Sequence, residues 1–305
     1  NVSGYPKTSA LWKAVKNNCL SKPIIYLSAT PNAQGPMLLY HQFALSSWSP
    51  WKAYKNFYTW YKHFAVLDSK GETEKKWISG RMIETYAKMR NEEVLASVKY
   101  LFITKTRKEL GFEQEPEDAI HYLELSDSVR AAYNILMKNK VLEFESGDKD
   151  YTLIADTPAK LRFALHMLEG GTLKVDEKYI VLANCEKVNY IKTVWGDSSD
   201  VVIMYNYIAE GIKLNKEFAE AKLLQATSYA EGVDLSSYKH LVIYSQDFST
   251  ARHTQRRARQ ANKDRKDEIK VHFLLVKKAI SEQVYKTVTI NKTNFVDSTF
   301  ERVEL

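Results

Sequence analysis

Cysteine is nearly absent from these 305 residues, and the two present, Cys19 and Cys185, stand far apart. That separation gives neither a disulfide framework nor the paired spacing of a zinc site, and it fits a reducing compartment such as the cytoplasm. Glycine (11) and proline (7) are scarce, which excludes collagen-like and linker-like chains. No apolar run approaches the roughly 18 residues of a membrane span and no signal peptide opens the chain, so no membrane partner is expected. Three fingerprints are missing as well: the phosphate loop G-x-x-x-x-G-K-[ST], the dinucleotide G-x-G-x-x-G and the nucleophile elbow G-x-S-x-G. The last two absences argue against a dehydrogenase or an α/β-hydrolase. The chain opens on Asn1 rather than methionine, as a segment of a longer protein would.

What is present is core-forming. Apolar residues make up 45% and aromatics 12%, so a globular chain of about two domains is expected. The formal charge of +7 favours a polyanionic partner without deciding for one.

Residues 1–97 read as the helix-rich edge of an α/β domain. A helix over "SALWKAVKNNC" leads into "PIIYLSA", Pro23 to Ala29, whose β-branched content predicts a buried strand. Met37 to Phe64 reads as helical and strongly aromatic. Trp51, Tyr54, Tyr58 and Tyr61 recur at three- and four-residue steps on one helix face, to pack a core or to stack on bases. A loop around Asp68 to Lys76 precedes a further helical pattern, Arg81 to Val98. Residues 98–305 alternate strand and helix. The strands are expected at "AIHYLEL", "KYIVLA", "VVIMYN", "KLLQAT", "HLVIYS" and "IKVHFLLV". That order implies a doubly wound, mostly parallel sheet.

The densest positive patch is "HTQRRARQANKDR", His253 to Arg265. Arg252, Arg256 and Arg259 are spaced i, i+4 and i+7 on one helix face, with Ser249 and Thr250 as caps. Such a stripe is a solvated basic helix, a localisation signal or an arginine wall facing phosphate. "ATSYAEGVDLSS" follows a strand and turns at Gly232, bringing Glu231 and Asp234 to the strand end where open α/β sheets bind ligands. "YLSATP" likewise ends a predicted strand in Ser28 and Thr30. His240, His253 and the other histidines show no metal-ligand spacing, so they are read as surface or packing residues and no metal site is expected.

Taken in order, "LSATP", "ATSYAEGVDL" and "QRRARQ" resemble motifs III, V and VI of superfamily-2 helicases and translocases, in the SWI/SNF-like branch that includes simpler phage and bacterial members. The resemblance implies a RecA-like lobe two over 98–305 with the end of lobe one over 1–97. Upstream elements, the phosphate loop and Asp-Glu-x-His, would hold ATP and Mg2+ in the full-length protein. It implies arginine fingers at Arg256 and Arg259, with Arg257 as a register alternative. Gly232, Asp234 and Glu231 would lie at the nucleotide, and Ser28 and Thr30 would couple nucleotide state to lobe movement. Thr227, Ser228 and Arg252 would contact DNA phosphates, and the missing N-terminal lobe is itself an implied partner. An ATP-independent nucleic-acid-binding module remains the alternative.

Overall fold

The computed structural model describes residues 4–19, 21–28, 35–78, 81–86, 88–226, 233–261 and 265–291. Two compact units divide the chain, Asn1–Lys105 and Thr106–Leu305.

The first unit is built on aromatics. It contains α1 (Ala10–Cys19), α2 (Met37–Phe43), α3 (Phe57–Phe64) and α4 (Asn91–Val98), with an antiparallel hairpin of β1 (Lys75–Ile78) and β2 (Arg81–Glu84). A capping box starts α3: Asn56 Oδ1 accepts from Thr59 N at 3.0 Å, and Asn56 N donates to Thr59 Oγ1 at 3.2 Å. The buried stripe of α3 is Phe57, Trp60, Tyr61 and Phe64.

Three expectations for this unit fail. Trp51 and Tyr54 precede α3 and Tyr58 lies 40% exposed, so the four aromatics do not share a helix face. Trp51 instead packs on Trp60, ring centroids 4.9 Å apart, and the aromatics form a core rather than a stacking ladder. Residues 23–28 have no regular structure and Ile25 and Leu27 are 88% and 94% exposed, because no described strand pairs with them. Arg81–Glu84 is a strand rather than a helix start. Across the hairpin Lys75 opposes Glu84, and Thr85 Oγ1 donates to Glu74 at 2.8 Å, contacts that helical spacing does not provide.

The second unit is α/β. Its five-stranded sheet runs β3 (Glu117–Leu123), β11 (Lys270–Val276), β10 (His240–Ile243), β8 (Val201–Tyr205) and β9 (Lys222–Gln225), with every neighbouring pair parallel. A parallel sheet is covered on both faces, and the strands show it: Val201 to Met204 are all at most 1% exposed. Val201, Ile203, Val242 and Leu274 point to a face packed by α7 (Glu186–Val194) and α8 (Ile208–Glu217). Val202, Met204, Leu241 and Phe273 point to the opposite face, against Leu235 and Tyr285 of α10 (Ile280–Tyr285). This is the doubly wound arrangement the alternation predicts. A third core joins α5 (Asp127–Asn139), α6 (Pro158–Glu169) and two hairpins, β4 (Val141–Glu145) with β5 (Asp150–Ile154) and β6 (Thr172–Val175) with β7 (Lys178–Val181).

"KYIVLA" is therefore not a strand of the main sheet. The two-residue turn Asp176–Glu177, with Asp176 at φ 50°, folds β7 back on β6 before it can reach a parallel neighbour. The β4–β5 pair was not anticipated, although its Gly147 turn at φ 63° is a hairpin signal. At Gly171 (φ 66°) a Cβ would meet Cys185 Cβ at 2.6 Å, so only glycine lets the end of α6 approach the start of α7. Among the described residues, no helix is long and apolar enough to cross a membrane.

Candidate functional site at the carboxyl edge of the sheet

Three features of the second unit meet at the same edge. Asn206 follows β8, Ser245 to Asp247 follow β10, and the basic helix α9 (Thr250–Arg257) starts directly after them. Asn206 ties them together. Its backbone N–H donates to Ser245 Oγ at 2.8 Å, its Nδ2 donates to the carbonyls of Ser245 (3.0 Å) and Gln246, and its Oδ1 accepts from Arg256 Nη2 at 2.8 Å. Arg256 Nη2 also meets Asp247 Oδ2 at 2.8 Å, and Arg252 Nη1 approaches the same oxygen at 3.5 Å from the exposed side.

The anion opposite the arginine stripe is thus supplied by the chain's own Asp247, for two of the three arginines. Asp247 Oδ1 also accepts from Ser249 N at 2.8 Å. Ser249 occupies the N-cap position without a side-chain capping bond and Thr250 is already helical, so the aspartate provides the carboxylate that suits a helix start.

Arg256 is 2% exposed. Burial pushes its pKa down to about 10, which leaves it charged at neutral pH. Its Nε and Nη1 are buried without a hydrogen-bond partner. Arg259, in the 3₁₀ turn Ala258–Gln260, is partly exposed. Its carbonyl accepts from Leu235 N at 3.1 Å, which brings Asp234 beside the arginine helix. Asp234 is exposed and its Oδ1 accepts from Ser236 N at 2.9 Å. Arg257 is engaged elsewhere: it donates to Asp118 and to the Pro116 carbonyl, anchoring α9 to the start of β3. Ser28 is exposed in the first unit. Thr30, Thr227, Ser228, Glu231 and Gly232 lie outside the described residues.

Behind Arg256 lies a desolvated polar cluster that single-residue reading missed. Glu210 Oε2 accepts from Asn206 N and Tyr207 N, each at 3.1 Å, and from Ser245 Oγ at 2.6 Å. Burial nonetheless raises the pKa of Glu210 and of its neighbour Glu169, and holds His166 well below the ordinary imidazole range. Lys187 Nζ donates to the Tyr244 carbonyl and Lys213 Nζ to the Leu182 carbonyl, both at 2.7 Å. The only sequence signal for Glu210 was its place three residues into α8, where its carboxylate reaches back to the N-cap backbone.

The histidines pack, but in an arrangement that spacing could not show. His121, His272 and His240 lie on three adjacent strands, linked end to end: His121 Nε2 is 2.9 Å from His272 Nδ1, and His272 Nε2 is 3.3 Å from His240 Nδ1. Tyr190 OH closes one end at 2.8 Å from His121 Nδ1. Among the described residues, no group of three or more histidine, cysteine or acidic side chains is arranged to hold a metal.

Burial pushes both His253 and His272 down to about 4. An unfolded imidazole titrates near 6.5, so between pH ~6.5 and ~4 the unfolded chain binds protons that the folded chain refuses. The stability these residues contribute is complete above that window and lost as pH falls through it. Glu169 and Glu210, raised by burial, act in the opposite sense. For His253 the loss from pH 7.5 to 5 is about 2 kcal/mol by linkage. Urea unfolding at the two pH values is expected to show a smaller loss in His253→Gln than in the parent chain, and equal losses would refute the assignment.

No family model matches the chain, and no curated protein does. Among solved structures it is similar to the crystal structure of the C-terminal part of the Fun30 ATPase domain, with TM-score 0.42 and 10% identity over 62% of this chain and 95% of that one. It is also similar to the Sulfolobus solfataricus SWI2/SNF2 ATPase core domain, with TM-score 0.38 and 14% identity over 99% of this chain and 67% of that one.

Proposed function

We propose that this chain supplies the second lobe of an ATP-dependent DNA helicase or translocase of the SWI/SNF-like type, with Arg256 and Arg259 as its phosphate-facing cations. The observation that carries this reading is the convergence at the carboxyl edge of the sheet. Asn206 after β8, Asp247 after β10 and Leu235 after the β9 segment all bond to the arginine helix or its 3₁₀ extension. Open α/β sheets bind ligands at that edge.

The residues present suit an anion. Only Nη2 of Arg256 is engaged by Asn206 and Asp247, which leaves Nε and Nη1 as oriented donors, and such buried donors cost stability until an acceptor arrives. Arg259 is the more accessible of the pair and meets phosphate directly. Arg256, held by its aspartate, contributes once an anion displaces the side chains covering it. Asp234 would bind a ribose hydroxyl, with Glu231 and Gly232 before it in sequence. Thr227, Ser228 and Arg252 would contact DNA phosphates, and Ser28 and Thr30 would link nucleotide state to movement. ATP, when bound, supplies the free energy for translocation; its phosphate loop and Mg2+ ligands belong to a lobe whose motifs these residues do not contain.

The purified chain is expected to show no DNA-stimulated ATP turnover, because arginine stabilises charge only where the phosphates are already held. It is expected to bind unrelated duplexes alike, with affinity falling roughly 40-fold between 50 and 200 mM salt if three phosphates are contacted. Strong turnover by the chain alone, or a sequence preference that persists at high salt, would overturn the reading.

A further inference from the structure

A second cationic feature lies away from the arginine helix. A groove of about 610 Å³ runs beside α5 and carries Arg130, Tyr133, Met137 and Lys138 on one wall and Lys277 and Lys278 on the other. Four cations face one carboxylate there, Glu124, which pairs with Lys277 at 3.0 Å. Among the described residues neither Lys138 nor Lys278 enters an ion pair, so their charge is uncompensated. Arg130 is held in place: its Nη2 donates to the Lys277 carbonyl at 3.1 Å, and its guanidinium lies over the Tyr133 ring at 5.7 Å.

Lys278 adds an independent observation. It adopts φ 50°, in the left-handed region where glycine is free of steric cost, yet the position carries a long cation. Its backbone N–H donates to Glu282 Oε2 at 2.8 Å, which fixes the turn between β11 and α10 and leaves the side chain to the groove.

From Arg130 to Lys138 the helix wall extends roughly 12 Å, long enough to meet more than one successive phosphate of a strand. Tyr133 belongs to the core beneath the groove, and half-buried Met137 supplies a small apolar surface between the charges. Cations at both ends of one helix wall suit the repeated charges of a phosphate backbone.

We propose that this groove is a second phosphate-binding subsite, which takes the backbone of a single nucleic-acid strand. The proposal deepens the DNA-binding part of the function above, adding a contact that needs neither ATP nor the arginine helix. The test is fluorescence anisotropy of a labelled single-stranded oligonucleotide with the 305-residue chain, Lys278→Gly, Lys138→Glu and Arg252→Ala, at two salt concentrations, with adenosine monophosphate titrated in parallel. Lys278→Gly relieves the left-handed backbone, so its thermal midpoint should equal or exceed that of the parent. Its strand affinity should nonetheless fall about fivefold or more, with the salt slope reduced by about 1 for a lost phosphate contact. Lys138→Glu should weaken binding further. If both groove variants bind the strand like the parent while Arg252→Ala weakens it, the subsite is refuted and the arginine-helix reading stands. If the groove variants lose affinity and Arg252→Ala does not, the subsite stands and the DNA role of Arg252 fails. Loss of monophosphate binding without loss of strand binding would also overturn the proposal, making the groove a site for a free phosphate ester.

Discussion

Replacing Arg259 by alanine in a protein that contains both of the proposed lobes is expected to lower ATP turnover by about 10³-fold or more, within the range of arginine fingers in nucleotide hydrolases that use them. The effect should fall on kcat with KM nearly unchanged, since the guanidinium is needed where charge develops on the transferred phosphoryl group rather than for ground-state binding. Arg259 is partly exposed, and its turn is held through its backbone carbonyl by Leu235, a contact the alanine keeps. Arg259→Ala should therefore fold normally, which circular dichroism and a thermal melt check. Steady-state turnover at the parent's rate, in a variant shown to be folded, would remove Arg259 from the catalytic reading. Lysine should rescue only partly, because a point charge does not reproduce the two-pronged fork of arginine.

The second large effect concerns folding. Asp247→Ala leaves the Arg256 guanidinium, 2% exposed, without its carboxylate, and breaking a buried pair from one side costs about 3–5 kcal/mol. Asn206 Oδ1 would remain as a neutral partner and soften the loss without replacing the charge. Removing both charges together, Asp247→Leu with Arg256→Met, should recover most of the stability, since the cost lies in the unpaired ion rather than in the absence of a salt bridge. Urea unfolding of the 305-residue chain measures all three proteins. A single variant within 1 kcal/mol of the parent would mean that Arg256 finds water or another acceptor when Asp247 is gone. It would also mean that the aspartate does not hold the arginine in place.

The legible parts of this molecule were those whose cause is local. The five main strands were readable because a parallel strand buried on both faces must be apolar throughout, as "VVIMY" and "VHFLLV" are. The helices from α5 to α9 were readable from their periodicity and their short connections. Local patterns misled where pairing decided the outcome. "KYIVLA" is as apolar as a sheet strand, but Asp176 turns it back into a hairpin. "PIIYLSA" has strand composition, yet no described strand lies beside residues 23–28.

The same division runs through the site. The i, i+4, i+7 spacing of the arginines is a property of the sequence alone, but the helix ends at Arg257 and Arg259 falls in the 3₁₀ turn beyond it, so the three do not share one helix face. Which arginine is buried and which exposed could not be read there. That Arg257 belongs to Asp118, that Asn206 reaches Arg256, and that three histidines from three strands touch are contacts across long sequence separations, while Asp247 meets Arg256 from only nine residues away. Charge and spacing set what these side chains can do; the order β3-β11-β10-β8-β9 decides which of them meet, because the order in which parallel strands pair is a tertiary outcome that no local pattern encodes.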